Sequence, residues 1–251
     1  MSHPAWLVRR LCACYAVFAL LPAIAGEFSV DPIRLELGPS ARSGALTVRN
    51  EGKVKLSFQI DAMAWTQDAS GADQYGETRD LIFFPKIMTV EPGQEGVIRV
   101  GTKTPVLPSE KAYRLFIEEL PSSERGAESP VQINVLIRFG APIFINPAKA
   151  HDGIEIEPLS ISRGLLSFAA RNTGNRHQMV EGIQVRGADA DGKEVYALTV
   201  ADRYLLAGTV KPYTTDIPGA KCSQIAVLEI AFKTDKVSVS RRLDVSRAMC
   251  P

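Results

Sequence analysis

The stretch SPVQINVLIRFGAPIFINP, residues Ser129 to Pro147, has the alternation of a long β-strand. Large apolar residues take every second position of its first half and share one face, namely Val131, Ile133, Val135, Ile137 and Phe139. The opposite face carries one charge, Arg138, followed by Gly140 and Pro142. Such a row either completes the core of its own sandwich or serves another chain, and the sequence leaves both possibilities open.

The N-terminal segment, residues 1–25, is predicted to be a signal peptide. Two arginines precede an apolar run from Leu11 to Leu21, and an Ala-Ile-Ala cleavage site ends at Ala25, before Gly26. A membrane anchor is the alternative, but the apolar run is shorter than the roughly 20 residues that cross a bilayer. We therefore expect export, cleavage after Ala25 and a soluble mature chain.

Removal of this segment leaves about 225 residues with almost no net charge. The segment holds two of the 29 Lys and Arg residues and none of the 28 Asp and Glu residues, so the balance becomes 27 − 28 = −1. A near-neutral chain gives no reason to expect nucleic acid as a partner. Of the four cysteines, Cys222 and Cys250 remain. In an exported chain they predict a disulfide that holds the C-terminus, with two free thiols as the alternative.

The first half of the mature chain consists of short alternating segments separated by turn residues. Those that precede the stretch quoted above are FSVDPIRLEL, GALTVRN, VKLSFQIDAMAW, DLIFFP, GVIRVGT and AYRLFIEEL. Turns about every 8 to 12 residues are typical of an immunoglobulin-like sandwich. Glu51–Lys53 is predicted to be a hairpin loop between its two neighbours, and the polar stretch Thr66–Asp80 to be a long surface loop.

The second half repeats this rhythm after an interruption. Ile145–Gly153 combines proline, charge and glycine and is predicted to be a linker. The segments that follow alternate again, with NTGN and DADG as turns. We see no sequence repeat between the halves. The prediction is an all-β protein with an N-terminal immunoglobulin-like domain at residues 26–147 and a C-terminal β-sandwich domain at residues 148–251.

Residues that could support catalysis are few. The mature chain has His151 in the linker and His177 in a turn, and no metalloprotease, nucleophile-elbow or phosphate-loop motif. Asp189–Val195 weakly resembles a calcium loop, but the closing Glu is missing at the required spacing, and Asp191–Gly192 is predicted to be a hairpin turn. Glu118 and Glu119 are neighbours on a strand, so they point to opposite faces and cannot share a site. We predict no enzymatic activity, no metal site and no cofactor.

Binding is the remaining class, and Arg34 and Arg138 are the candidate residues. Arg34 follows Pro32 in VDPIRLEL, and both arginines lie in strands made largely of apolar and small residues. A guanidinium matches a carboxylate with a fork of two donors. A solvated surface position is the alternative, because lone surface arginines are common.

The order of these segments resembles the periplasmic pilus-assembly chaperones of the PapD-like family. The resemblance is carried by FSVDPIRL at the mature N-terminus, LTVRNEG, LIFFPKIMTVEPG, YRLFIEELP and the strand ending IFINP. It covers the whole first domain, whereas the second domain matches only in length and β character. The resemblance implies two immunoglobulin-like domains set in an L, with a cleft between them.

The resemblance also implies a function. Such a chaperone lends the last strand of its first domain to a pilus subunit that lacks its own final strand, and delivers the subunit to an outer-membrane usher. The donor strand would present the apolar row described above, which the free chaperone would cover by self-association. The alternative is an exported adhesin or carbohydrate-binding sandwich. That class needs clustered aromatics, whereas Trp65 is the only tryptophan of the mature chain.

The resemblance further implies that two basic residues in the cleft hold the C-terminal carboxylate of the subunit. Arg34 matches the first. The second falls on Pro142, and Arg138 is the only basic residue between Ser129 and Asn146. Arg138 lies four residues earlier on the same face, roughly 13 Å away along a strand, and is predicted to be the second anchor. This departure is typical of a divergent branch, and we predict the archaic, Csu-like branch.

Overall fold

The computed structural model describes residues 28–103, 105, 107–121 and 135–251. Its first ten strands are β1 (Phe28–Asp31), β2 (Leu35–Leu37), β3 (Ser43–Asn50), β4 (Leu56–Gln67), β5 (Asp73–Glu77), β6 (Leu81–Phe84), β7 (Ile87–Val90), β8 (Glu95–Thr102), β9 (Lys111–Glu119) and β10 (Arg138–Ile145). The next nine are β11 (Ile154–Ile156), β12 (Ser160–Ser162), β13 (Leu165–Asn172), β14 (Gln178–Ala188), β15 (Glu194–Val200), β16 (Tyr204–Leu205), β17 (Val210–Asp216), β18 (Val227–Thr234) and β19 (Ser238–Asp244). The described helices are α1 (Gly219–Cys222) and a 3₁₀ turn (Arg247–Met249). No helix within the described ranges is long and apolar enough to cross a membrane.

The first ten strands form two sheets that enclose one core. One sheet has the order β1-β3-β8-β6, and the other has the order β2-β10-β9-β4-β5, with β7 beside β4. Their facing side chains are almost entirely apolar, with Leu46, Leu56, Phe58, Ile98, Leu115, Ile117 and Ile143 fully buried. The strands present alternate residues to this core, as half-buried strands do.

The N-terminal stretch is two strands rather than one. β1 pairs with β3 in the first sheet, whereas β2 pairs in parallel with β10 in the second. Pro32 lies in the bend between them, where its missing N–H breaks no ladder. This crossing brings Arg34 to the start of β2, next to the strand that opened the sequence analysis.

The prediction of a hairpin at Glu51–Lys53 is wrong. β3 pairs with β1 and β8, whereas β4 pairs with β5, β7 and β9, so this connection passes from one sheet to the other. The buried side chain of Asn50 fixes the crossing, because its Nδ2 donates to the carbonyl oxygens of Val54 at 2.8 Å and Val90 at 2.9 Å. A tight hairpin loop would instead keep β3 and β4 side by side in one sheet.

The prediction of a long loop at Thr66–Asp80 is also wrong in part. β4 continues to Gln67 and forms a hairpin with β5. The turn is closed by the carboxylate of Asp68, which accepts hydrogen bonds from the Ser70 hydroxyl and from the N–H groups of Ser70 and Ala72. These bonds, the Ser70 hydroxyl above all, hold the pKa of Asp68 below its usual value. Side chains of low β-propensity concealed this hairpin from pattern analysis.

The last nine strands form a second pair of sheets. One has the order β11-β13-β12 with β17 beside β13, and the other has the order β15-β14-β18-β19 with β16 beside β14. The predicted disulfide is present between Cys222 in α1 and Cys250, and it ties the C-terminus to this sandwich. The predicted domain boundary between residues 147 and 148 stays a prediction.

Candidate binding site on strand β10

The side chains in the core-facing row of β10 become progressively more exposed to solvent toward the N-terminal end of the strand. Ala141 and Ile143 are fully buried, and Phe139 packs against the edge of the core. Ile137 is half-buried, and the side chain of Val135 is 69% exposed. The row therefore serves its own core at one end and presents uncovered apolar side chains at the other.

The backbone of β10 is also uncovered on one side. Its pairing with β9 extends from Ile145 back to Ile137, whose carbonyl accepts a hydrogen bond from Glu119 N–H at 3.0 Å. On the opposite side, β2 pairs only with Ile143 to Ile145. Within the described ranges, the edge of β10 before Ile143 has no neighbouring strand. Such an edge can pair with a strand from another chain.

Two members of the predicted donor row, Val131 and Ile133, lie outside the described residues. The structure therefore places Val135, Ile137 and Phe139 of that row. These three share the face that continues into the core.

The other face of β10 lies against the second half of the chain. The ring of Phe144 stacks on the His177 ring with centroids 3.6 Å apart. His177 Nδ1 lies 2.9 Å from the Glu110 carboxylate, and both side chains are almost completely buried. Phe144 also packs with Trp65 and Leu206 in a small cluster at the junction of the two halves. The C-terminal end of β10 is therefore held at the junction, whereas its N-terminal end is open.

Arg34 lies on the same outer face, at the junction. Its Nη1 donates to the sulfur of Met179 at 3.6 Å, and its Nε lies 3.6 Å from the Glu36 carboxylate. The side chain is 33% exposed. The parallel register pairs Leu35 with Ile143, so one residue earlier Arg34 comes beside Pro142.

Arg138 lies at the other end of β10. Its Nε is 3.1 Å from the Glu118 carboxylate, and its guanidinium covers the ring of Phe116 at 3.9 Å. Its side chain is 51% exposed. Four residues separate Arg138 from Pro142, or roughly 13 Å of strand. The described geometry brings Arg34 to Pro142 but leaves Arg138 at a distance, and its role as second anchor stays a prediction.

Sequence analysis did not identify Arg114, which the structure places near the rings of Trp65 and Tyr204 at the junction of the two halves. Arg114 lies directly opposite Pro142 in the pairing of β9 with β10. Its guanidinium stacks 3.9 Å from the ring of Trp65, and its Nη1 donates to the Gly140 carbonyl at 3.0 Å. The side chain is only 13% exposed, and its buried Nε has no hydrogen-bond partner. Asp73 is 4.0 Å from Nη2.

The sequence indicates which face of the sheet Arg114 occupies, but not which residues lie beside it. YRLFIEEL alternates, with Tyr113 and Leu115 buried in the core, so Arg114 had to lie on the outer face. Which strand lies beside it depends on the order of strands in the sheet, which alternation does not reveal. The same holds for His177, whose partner Glu110 is 67 residues away.

The two acidic side chains beside the junction, Asp80 and Glu110, both have partners. A cavity of about 800 Å³ lies beside Trp65, lined in part by Asp80 and Glu110. Asp80 accepts hydrogen bonds from Lys111 and Tyr113, and Glu110 is paired with His177. In the described part of the chain, no group of three acidic, His or Cys side chains could hold a metal ion.

A further aromatic residue of the outer face is Tyr75. It packs edge-on against Phe116 with centroids 5.4 Å apart. Burial raises the pKa of the Tyr75 hydroxyl, and the nearby charge of Asp73 raises it further. The hydroxyl is therefore neutral at ordinary pH and can donate a hydrogen bond.

Comparison with known families matches the first half of the chain. Residues 27–151 match the family model described as pili and flagellar-assembly chaperone, PapD N-terminal domain. No curated protein sequence matches the chain.

Solved structures match most of the chain. One is the CsuC–CsuE chaperone–tip adhesion subunit pre-assembly complex from archaic chaperone-usher Csu pili of Acinetobacter baumannii. It matches with a TM-score of 0.60 and 18% identity, covering 86% of this chain and 98% of that chain. The Pseudomonas aeruginosa CupB2 chaperone matches with a TM-score of 0.53 and 14% identity, covering 87% and 100%. Below 25% identity these likenesses show the fold alone. They confirm the prediction of an all-β protein with the two-domain fold of these chaperones.

Proposed function

Because the chain belongs to the PapD-like family of pilus-assembly chaperones, we propose that it captures pilus subunits in the periplasm by donating strand β10. The subunit it takes lacks one strand of its own sandwich. The chaperone completes that sandwich and then delivers the subunit to an outer-membrane usher. The predicted signal peptide and the disulfide between Cys222 and Cys250 support an exported chain in an oxidising compartment.

The observation that carries this proposal is the uncovered end of β10. Its apolar row continues past the core to an exposed Val135, and its edge has no described neighbour before Ile143. A subunit that lacks a strand has the complementary defect, with apolar core and strand edges exposed. Strand addition repairs both, because backbone groups pair and alternate side chains fill the groove.

The free energy that strand donation can contribute to binding depends on the apolar side chains that become buried. Each apolar side chain of the row that becomes fully buried contributes about 1.5 to 3 kcal/mol. The cost of association reduces the sum. Val135 and Ile137 are exposed or half-buried in the free chain, so most of their burial is available to the complex. Val131 and Ile133 extend the proposed row by two more positions.

The geometry also favours one direction for the added strand. An incoming strand on the open edge of β10 would lie in line with β2, which begins beside Arg34. If it runs parallel to β10, its C-terminal end meets Arg34. A carboxylate there would receive a charge-assisted contact. A one-residue slip would turn every apolar side chain outward, so an anchored carboxylate fixes the register. Arg138 stays the proposed second anchor from the sequence pattern.

Delivery to an usher requires a surface that stays free while β10 is occupied. Ile82 and Phe84 on β6 and Val97 on β8 are exposed large apolar residues of the other sheet. Exposed apolar patches of this kind commonly bind other proteins. These exposed residues could bind a second partner while the subunit occupies β10.

The test is the substitution Val135→Asp, compared with Val97→Asp. Both valines are exposed, 69% and 47% respectively, so neither aspartate is expected to disturb folding. We would co-express each tagged variant with a candidate pilus subunit and measure the subunit that co-purifies from the periplasm. Val135→Asp should reduce recovery at least about tenfold, because a charge would enter an apolar groove. Val97→Asp should leave recovery unchanged. Equal recovery with both variants would contradict strand donation by β10.

A further inference from the structure

We propose that Phe116 is a positioning residue for strand donation, which holds the N-terminal half of β10 flat against β9; this inference rests on the strand donation proposed above. In the register of β9 with β10, Phe116 lies directly opposite Gly140. Both residues belong to the outer face of the sheet, since Tyr113, Leu115 and Ile117 of β9 face the core. The ring of Phe116 is thus placed beside the one glycine of β10.

The N-terminal half of β10 has weak support from the rest of the sheet. β2 pairs only with Ile143 to Ile145, so within the described ranges the residues before Ile143 are paired with β9 alone. This pairing ends near Ile137, whose carbonyl accepts a hydrogen bond from Glu119 N–H. Glycine also weakens a strand, because it contributes no side-chain packing and loses much conformational entropy on folding. This half of β10 therefore depends on contacts beyond its backbone ladder.

The Phe116 ring supplies the packing that glycine lacks. A Cβ placed on Gly140 would lie 3.1 Å from Cε1 and 3.4 Å from Cδ1 of this ring, so the ring occupies the space above the glycine. Opposite residues that do not exchange backbone hydrogen bonds approach each other most closely. Gly140 and Phe116 form such a pair, because the Ile137 carbonyl bonds to β9 and the ladder alternates. An aromatic ring across from a glycine near a sheet edge stabilises the strand pairing.

Two further side chains hold the ring in this position. The Arg138 guanidinium lies 3.9 Å from the ring centroid, and Arg138 is two residues before Gly140, hence on the same face of β10. Tyr75 on β5 packs edge-on against the ring with centroids 5.4 Å apart. The Phe116 ring therefore contacts β10 at two successive outer-face positions and is also held from β5.

Position 140 requires glycine for reasons of space and not of backbone conformation. Gly140 is not among the described glycines with positive φ, so its backbone would accept alanine without strain. What opposes a Cβ there is the ring of Phe116, whereas the Cδ of Arg114, at 3.7 Å, is at an ordinary contact distance. Phe116 and Gly140 are therefore coupled, and a change in one alters what the other position accepts.

A firmly held β10 presents its apolar row in the form that strand donation needs. Val135, Ile137 and Phe139 reach a partner at alternate positions only if the backbone between them is extended. A segment that is already ordered in the free protein does not lose its conformational freedom on binding. Phe116 lies on the face opposite to this row, so its effect on capture acts through the placement of β10.

Hydrogen–deuterium exchange of the free protein tests the contact. The amides of Phe139 and Ala141 point to β9, and Phe116→Ala should speed their exchange by roughly tenfold, because this half of β10 opens more often. Phe116→Tyr should exchange as the wild type does. The matched control is Tyr196→Ala, which removes an aromatic ring opposite Gly187 in the second sandwich and should leave these two amides unchanged. An unaltered exchange rate in Phe116→Ala would overturn the inference.

A double substitution tests the coupling between the two residues. Gly140→Ala alone should also speed the exchange of the β9-facing amides, because its Cβ meets the Phe116 ring. In the Phe116→Ala background the same substitution finds open space, so exchange should be slower than in Phe116→Ala alone. If the two substitutions instead accelerate exchange additively, the ring does not pack on Gly140 and the inference is wrong.

Recovery of a co-expressed candidate pilus subunit from the periplasm connects the contact to capture. Phe116→Ala should reduce the co-purified subunit several-fold, whereas Phe116→Tyr and Tyr196→Ala should keep it at the wild-type level. Faster exchange in β10 with full recovery of the subunit would overturn the positioning role. The proposed function has a separate outcome, because full recovery with Val135→Asp would overturn strand donation by β10 whatever the exchange rates in Phe116→Ala.

Discussion

Asn50 and Asn172 occupy equivalent positions at the ends of β3 and β13. Both side chains are buried. Each amide nitrogen donates to two backbone carbonyls, and each amide oxygen accepts an N–H two residues later in the chain. The carbonyls are those of Val54 and Val90 for Asn50, and of Arg176 and Leu205 for Asn172. One side chain thus joins three backbone segments in each sandwich.

The two sites share further detail. Gly93 and Gly208 both have positive φ, +72° and +74°, and their N–H groups donate to the carbonyls of Asn50 and Asn172. The sequences RNEG and RNTG are the only trace of this likeness. Sequence analysis found no repeat, because four residues are too few to stand out. The two sandwiches nevertheless share the same hydrogen-bond arrangement where the chain leaves β3 and β13.

Asn50→Ala should destabilise the protein by about 2 to 4 kcal/mol. The substitution leaves the buried carbonyl of Val90 without this partner, and the part-buried Val54 carbonyl and Gly52 N–H also lose a hydrogen bond. A buried polar group without a partner costs about 1 to 3 kcal/mol, and a group that water can reach costs less. Urea unfolding followed by circular dichroism would measure the loss. The control is Asn146→Ala, whose side chain is half-buried and contacts Glu36 at 3.3 Å; it should cost less than about 1 kcal/mol. Equal costs would contradict the bridging role.

At the same scale, the site was only partly predictable. Arg34 stood out because a charge followed a proline in an apolar strand. Arg114 did not, since its neighbour Pro142 is set by strand order rather than by either sequence segment. Arg138 was chosen because it was the only cation on its strand, and its pairing with Glu118 depends on a register that local sequence does not fix.

At the scale of elements, alternation predicted most strands but not their partners. β4 and β10 were evident from their apolar rows. The hairpin of β5 was missed because its side chains are polar and exposed, so they form no apolar face. The connection after β3 was assigned to a hairpin because loop length alone suggested it, whereas Asn50 directs the chain to the other sheet.

The connection between the two sandwiches is held by polar contacts. The Arg176 guanidinium donates two hydrogen bonds to the Asp152 carboxylate, at 2.8 and 2.7 Å. The backbone N–H of His151 donates to the side chain of Asn175 at 2.8 Å. The predicted linker is thus fixed to the turn before β14.

This contact predicts a pH dependence. The hydrogen bonds from Arg176 hold the pKa of Asp152 below its ordinary 3.8. The unfolded chain therefore binds this proton more readily, and the stabilisation is present above the unfolded pKa and lost as pH falls through the folded value. Asp152→Asn should reduce the free energy of unfolding near neutral pH, and its difference from the wild type should shrink as pH falls below 3.8.

Urea unfolding at a series of pH values would measure that difference. The matched control is Glu157→Gln, which removes an exposed ion pair with Arg171 and should have little effect at any pH. If the difference in the free energy of unfolding between Asp152→Asn and the wild type stays constant down to acid pH, the stabilising pair of Asp152 with Arg176 is contradicted.

At the scale of the whole molecule, the junction between the halves sets the position of the cleft. Glu110 and His177 are paired across it, Phe144 stacks on His177, and Gln67 bonds to the backbone of Tyr204 and Leu206. These contacts fix the C-terminal end of β10 while its N-terminal end stays uncovered. The fold class and the two sandwiches followed from strand rhythm, whereas this junction is formed by residues far apart in sequence.

The most direct test of the account is hydrogen–deuterium exchange of the chaperone with and without a bound pilus subunit. The amides of Arg138 and Gly140 point to the open edge of β10 and should exchange much more slowly in the complex. Those of β6, Leu81–Phe84, should be unaffected. Protection at β6 with unchanged exchange at β10 would contradict the claim that this strand completes the sandwich of its partner.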